Sequence, residues 1–424
     1  MKKPLNSSGW TRRQFVCASL AFSSRSLFAL SPQSDGPPTT LPAWTFGELE
    51  IHQIDTGRGN AAFLLAPDGT TMLIDCGASS DPLETSAPPR PDGSREPGEW
   101  VARYALRRAQ AANRTTLDYM IATHVHPDHV GDLPTGKSVP EDGTYIPTGL
   151  SQVDQWMPAE RVIDRSFPDY GQLPPVGGGF AANYLAWLAD RRRRGKLVER
   201  LDVGSIHQIR LRNSFKGPTF SVRGLAANGH VWTGKGFGSR SMFRDVGAAP
   251  SEDRPTENAC SIALRIDFGH FSYFTGGDLN ADTHDGRQPF IDVETPTVQV
   301  CGRVEVAVAD HHAYFDSCGP QFVRNLDAQA YIIPSWHLTH PGQAQLERLV
   351  GAWPREKHHD VFATEMLTAN EFFNSRWVKD MRSNHGHIVV RVASDGLSYK
   401  IFVLDSTNEL GLVKTVVGPY TCRA

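Results

Sequence analysis

Four potential metal ligands fall within six residues in the run His124-Val125-His126-Pro127-Asp128-His129. Imidazole nitrogens and a carboxylate are donors suited to Zn2+, and also to Fe or Mn2+. The run follows Leu117 to Ala122, an apolar segment that reads as a buried strand. A polar loop at a strand end would aim all four side chains at one point. Val125 can turn inward to pack, and Pro127 stiffens the turn so that Asp128 and His129 face away from His124 and His126. That division predicts two half-sites about 3.5–4 Å apart, the spacing of two-metal centres. A surface histidine cluster or a set of core histidines does not account for the spacing.

Other candidates sit at other predicted strand ends. Asp278 closes Phe274-Thr275-Gly276-Gly277-Asp278, where a carboxylate could bridge two cations through its two oxygens or simply end a strand. His311 and His312 follow a strand over Val304 to Ala309. His230 follows a strand over Thr219 to Ala226, and can be a ligand or a loop histidine stacked on Trp232. His337 and His340 are rivals after the strand Tyr331 to Pro334. His358, His359, His385 and His387 read as turn residues.

These positions need a frame. Alternation and turn residues predict early strands at 49–54, 61–65 and 71–77, with an Ala66-to-Thr70 hairpin turn between the last two. Further strands are expected at 206–211, 219–226, 261–267, 272–275, 388–392 and 398–405. Helices are expected at 100–112, 180–201, 320–325 and 342–351. The Arg191-to-Arg194 run before Gly195 is a helix stop rather than a nucleic-acid patch. Strands mixed with helices in two sheet-rich halves point to one large α/β unit over 45–424. It would carry a helical and loop insertion around 133–205 and a C-terminal strand extension.

Composition narrows the classes. An apolar content of 40% and a charged content of 21% are ordinary for a soluble globular chain. No apolar run reaches the roughly 20 residues of a membrane span. Cys17, Cys76, Cys260, Cys301, Cys318 and Cys422 include no C-x-x-C pair, which excludes a Cys-rich zinc module and leaves room for one or two disulfides. Residues 1–30 differ from the rest: their only charges are Lys2, Lys3, Arg12, Arg13 and Arg25, and the arginine pair precedes a weakly apolar stretch. This reads as a twin-arginine-type signal peptide followed by a linker at 31–44, and predicts export to the periplasm or beyond. Without those five cations the net charge falls from −3 to −8, which gives no general attraction to nucleic acid.

H-x-H-x-D-H after a strand resembles the hallmark of the metallo-β-lactamase superfamily. Asp55-Thr56-Gly57-Arg58-Gly59-Asn60-Ala61 with Leu73-Ile74-Asp75-Cys76-Gly77 resembles the opening of its ComEC-like, competence-type branch. Asn258-Ala259-Cys260-Ser261, Phe274 to Asp278, Asp310-His311-His312-Ala313 and His340-Pro341 resemble later motifs of that branch, in order, across roughly residues 48 to 345. The resemblance implies an αβ/βα four-layer sandwich of two mixed β-sheets flanked by helices. It implies a metal set of His124, His126, Asp128, His129, His230, Asp278 and His340, with Pro341 favouring His340 over His337. Asp128, His311 and His312 would be catalytic, and Asp75 would hold a ligand imidazole by its second nitrogen. One departure stands out: Ala313-Tyr314 replaces the branch's Gly-Ser, which puts a phosphate-binding role there in doubt.

The expected function is that of an exported hydrolase using a metal-activated water between two divalent cations, Zn2+ before Fe or Mn2+. A phosphodiester-type substrate is favoured. The alternatives are a lactam, lactone or other ester or amide substrate, an iron-containing oxidoreductase, and a non-catalytic binding protein.

Overall fold

The computed structural model describes residues 39–423 except 82, 143, 176, 244, 245, 249, 251, 252 and 352–358. The signal at 1–30, most of the linker, Cys17 and His358 lie outside the described residues. The described residues pack as one unit.

Six strands open the chain: β1 (Leu49–Gln53), β2 (Ala62–Leu65), β3 (Thr71–Ile74), β4 (Leu117–Ile121), β5 (Ala159–Asp164) and β6 (Leu197–Arg200). Eight more follow: β7 (Phe220–Ala227), β8 (His230–Trp232), β9 (Ser239–Ser241), β10 (Ala263–Phe268), β11 (Phe271–Thr275), β12 (Val306–Val308), β13 (Ala330–Ile333) and β14 (Asp360–Ala363). The chain then returns to the first sheet with β15 (His387–Val392), β16 (Ser398–Leu404) and β17 (Val413–Thr421). The first sheet runs β17-β16-β15-β1-β2-β3-β4-β5-β6 and the second β14-β13-β12-β11-β10-β7-β8-β9. Each is mixed: β3 to β6 are parallel neighbours, as are β11 to β14.

Side-chain alternation sorts the core into layers. Met72, Ile74, Tyr119 and Ile121 of the first sheet meet Leu264, Ile266, Tyr273 and Val306 of the second. On the outer face of the first sheet, Phe63, Leu73 and Met120 pack with α1 (Pro97–Ala109), α3 (Gly149–Trp156) and α4 (Gly178–Arg193); a four-residue helix, α2 (Pro127–Val130), lies between α1 and α3 in sequence. On the outer face of the second, Phe274 and Ala307 pack with α5 (Glu294–Cys301), α6 (Pro320–Leu326) and α7 (Gln343–Leu349). The result is the αβ/βα sandwich of two mixed sheets flanked by helices.

Three local expectations change. No strand forms at 206–211, because its backbone is held by side chains instead: Arg210 N–H donates to the Tyr119 hydroxyl, and Arg212 N–H to Thr70 Oγ1. The helix expected at 180–201 ends at Arg193, where Gly195 turns the backbone to φ +71° and β6 begins. Within 133–205, expected as helix and loop, β5 and β6 join the first sheet. The charges of Glu160 and Arg161 at the open end of β5 mask its buried second half in the sequence. The five described cysteines are free and buried.

Two glycines let the histidine-bearing turn lie against the strand ends. A Cβ on Gly77 would fall 1.7 Å from the Asp128 carbonyl carbon, and one on Gly59 would fall 2.6 Å from the Asp128 oxygen. The contact is closed by backbone bonds, with Asn60 N–H donating to Asp128 O and Cys76 N–H to His129 O. Gly77→Ala should therefore displace the turn, with a stability loss of about 3 kcal/mol or more and lost metal uptake, measured by urea unfolding and metal analysis.

The proline-rich loop after β3 is tied to the end of β14. Arg90 donates to both oxygens of Glu365 at 2.9 Å. Burial works against the Glu365 charge, but hydrogen bonds from His385 and Arg90 win and hold its carboxyl down to about 2, from an ordinary 4.5. A depressed carboxyl stabilises above its unfolded value, and that stabilisation is lost as pH falls toward the folded value. Glu365→Gln should cost about 2 kcal/mol near neutrality. The gap to wild type should narrow as pH drops below 4.5 in denaturant titrations.

Candidate metal centre

The parallel strands of both sheets end at one edge, where loops can converge on a ligand. The first sheet contributes Asp75 after β3 and the histidine run after β4. The second contributes Asp278 after β11, and His311 and His312 after β12.

Pro127 starts α2 at its first position, so Asp128 and His129 are turned by helix geometry while His126 remains extended. Val125 is fully buried beneath them. Two ligand groups result. Atoms of His124, His126 and Asp278 lie within 4.8 Å of one another, and so do atoms of Asp128, His129, Asp278 and His312. Asp278 belongs to both: its Oδ2 is 3.6 Å from His124 Nε2, while its Oδ1 is 3.0 Å from His129 Nε2 and 3.6 Å from His312 Nε2.

The outer nitrogens are committed elsewhere. His129 Nδ1 donates to Asp75 Oδ2 at 2.8 Å, and His312 Nδ1 to the Pro334 carbonyl at 2.8 Å. The Nε2 of each ring then faces a carboxylate, His129 toward Asp278 at 3.0 Å and His312 toward Asp128 at 3.0 Å. A ring nitrogen this close to a carboxylate is stable only with positive charge at the contact, carried by a proton or by a cation in its place. His129 Nε2 is buried without a hydrogen-bond partner. Donors bound to Zn2+ at about 2.0–2.2 Å in tetrahedral geometry lie about 3.4 Å apart, close to the spacings seen. The residues present therefore fit divalent cations.

Electrostatics agree. Burial pushes the His124 and His340 imidazoles well below their ordinary value and also lowers His126, so these rings are neutral. Burial acts the same way on His129, but Asp278, Asp128 and Asp75 outweigh it and hold that ring well above. Burial raises Asp128 and Asp278, but the facing imidazoles outweigh it and keep both carboxyls well below the usual range. Buried carboxylates stay ionised only beside positive charge.

His311 and His312 share a turn in which His311, His312 and Ala313 all have positive φ, at 45°, 53° and 59°. Left-handed backbone is costly for residues with a Cβ. It lets two adjacent side chains face one carboxylate, which an extended strand end does not. His311 Nδ1 donates to Asp316 Oδ1 at 2.6 Å, and its Nε2 lies 3.8 Å from Asp278 Oδ2. Asn258 Nδ2 reaches the same Nε2 at 3.2 Å, and Ser261 Oγ accepts from the Asp278 N–H at 3.1 Å. The Asn258-to-Ser261 motif thus braces both residues.

Other sequence candidates sit apart from the two groups. His340 is buried and stacked on His312 at 4.8 Å, with Nδ1 unpartnered, but joins neither group. His337 bonds Thr339, and His230 is exposed on β8. His385 pairs with Glu365 and Glu371, and His387 accepts from the Asp55 N–H. His312 is the reverse case: expected as a catalytic partner, it stands in the second group of atoms that could hold a metal ion. Its doublet with His311 at a strand end was the available signal. The Glu257–Arg165 pair had none. Arg165 Nε donates to Glu257 Oε1 at 2.7 Å, and that oxygen accepts the Val125 N–H at 2.9 Å, which anchors the histidine run from below.

The family model described as "Metallo-beta-lactamase superfamily" matches residues 55–151. Among solved structures, a protein of Parabacteroides distasonis named as a metal-dependent hydrolase is 11% identical, with a TM-score of 0.36, over 78% of this chain and 100% of its own. Human tRNase Z, short form, is 11% identical, with a TM-score of 0.28, over 67% of this chain and 91% of its own. No curated protein sequence matches. The matched segment carries the histidine run and its glycine supports and is similar to that superfamily, and the two mixed sheets flanked by helices around it are consistent with the metallo-β-lactamase fold.

Proposed function

We propose that the protein is a metal-dependent hydrolase with a dinuclear centre and a phosphodiester-type substrate. The observation that carries this reading is the division of Asp278, one oxygen toward each ligand group. When bound, the two cations supply an activated water and draw charge from the reacting centre. His124, His126 and Asp278 would hold one, and Asp128, His129, His312 and Asp278 the other. Asp75 orients His129 by its Nδ1 proton. His311 holds its Nδ1 proton against Asp316. Burial lowers this ring's affinity for a second proton, but Asp278 and Asp316 raise it further, so Nε2 can carry a proton to a leaving oxygen.

The ordered motifs of the ComEC-like branch favour the phosphodiester. Tyr314, standing where that branch has a serine hydroxyl, favours a second reading, hydrolysis of a lactam, lactone or other ester. A panel of bis-p-nitrophenyl phosphate, nitrocefin and a lactone separates them, and metal analysis separates zinc from iron. Among the described residues no helix is long and apolar enough to cross a membrane. Export rests on the Arg12-Arg13 segment, and cell fractionation of an Arg12→Lys/Arg13→Lys variant tests it: wild type should be exported and the variant retained.

Asp278→Ala combined with His124→Ala should abolish metal binding and diester hydrolysis, and metal-free protein with wild-type turnover would refute the reading. Asp75→Asn, which leaves the ligands in place, should weaken metal binding roughly 10–100-fold. His312→Ala should lose one metal per chain while His340→Ala keeps two, as read by metal analysis.

A further inference from the structure

The left-handed turn that aims His311 and His312 also places two aromatic rings beside them. Tyr314 stands edge-on to His311 at 5.1 Å and to His340 at 5.8 Å. The Phe315 ring lies 4.2 Å from that of Tyr314 and is 67% exposed. This exposure is not loop slack. The Tyr314 N–H donates to the His311 carbonyl at 2.7 Å, and the Gly342 N–H to the Ala313 carbonyl at 2.9 Å. Gln345 Nε2 donates to the Phe315 carbonyl at 2.8 Å, and Ser317 Oγ to that of Tyr314 at 3.1 Å. A mobile segment could fold an apolar ring away from water, but a backbone pinned on both sides cannot. An aromatic held in solvent one ring away from the site imidazoles marks a contact surface rather than core packing. The position also lacks the small hydroxyl that would grip a phosphoryl oxygen, since Ala313-Tyr314 offers a ring face and a distal phenol.

We propose that Tyr314 and Phe315 form a stacking shelf that selects substrates carrying a flat aromatic or heterocyclic group close to the scissile phosphoryl centre. The proposal rests on the phosphodiester reading above. Stacking on an aromatic side chain contributes about 1–3 kcal/mol per ring, roughly a five- to hundredfold preference.

The test is binding of phenylphosphonate and methylphosphonate to the metal-loaded protein by calorimetry. It is paired with kcat/KM for bis-p-nitrophenyl phosphate against methyl p-nitrophenyl phosphate, two diesters with the same leaving group. Wild type should prefer the phenyl ligand and the bis-aryl diester by about tenfold. Phe315→Ala should bring both ratios toward one, and Phe315→Trp should keep them. Phe372→Ala, which removes an 84% exposed phenylalanine on a separate helix, should leave both unchanged. Equal wild-type affinities for the two phosphonates, or an unaltered preference in Phe315→Ala, would overturn the shelf. A phenyl preference without turnover of either diester would instead overturn the phosphodiester reading and leave the shelf standing.

Discussion

Asp75 is fully buried at the end of β3, and its carboxylate has four donors. Thr123 gives it a backbone N–H at 2.8 Å and a hydroxyl at 2.7 Å, Asn60 an amide at 2.9 Å, and His129 its Nδ1 proton at 2.8 Å. This one group joins the first loop, the strand that carries the histidine run and the run's last ligand. A carboxylate is tolerated in such a place only when its oxygens are satisfied. The glycines at 59 and 77 follow from the same constraint, because the turn must approach the strand ends closely enough for His129 to reach Asp75.

The second sheet answers with charge of its own. Asp278 enters from β11 with its backbone held by Ser261, and His311 and His312 enter from β12 on a turn of costly left-handed backbone. The two sheets share an apolar interface, so their relative placement is set by packing rather than by the site. The site is then the polar edge of that interface. Its buried imidazoles and carboxylates balance each other with spacings that a pair of divalent cations fits.

The local part of the centre was readable in the chain. The spacing of His124, His126, Asp128 and His129 after an apolar strand, with Pro127 at the turn, is short-range information, and the structure places the run directly after β4, with Asp128 and His129 on α2. Asp278 was readable because a strand, two glycines and an acid lie together. β5 was not, since half of it is charged, and 206–211 alternates like a strand although its backbone is held by a distant side chain rather than by a strand ladder. The Arg165–Glu257 pair was invisible for a similar reason: its partners are 92 residues apart and neither belongs to a motif.

By itself the sequence determined the architecture class, the histidine run, the acid opposite it and the glycines beneath it, because each depends on residue type and on neighbours a few positions away. Tertiary structure decided which distant histidine comes within reach of Asp128 and Asp278. His312, His340, His337 and His230 are chemically alike and all follow strands. The pairing of β12 with β11, and the left-handed turn at 311–313, bring His312 beside Asp128, His129 and Asp278, while His340 stacks behind it and His230 is exposed. Ligation depends on atom positions to within a fraction of an ångström, and those are set by contacts across hundreds of residues of chain.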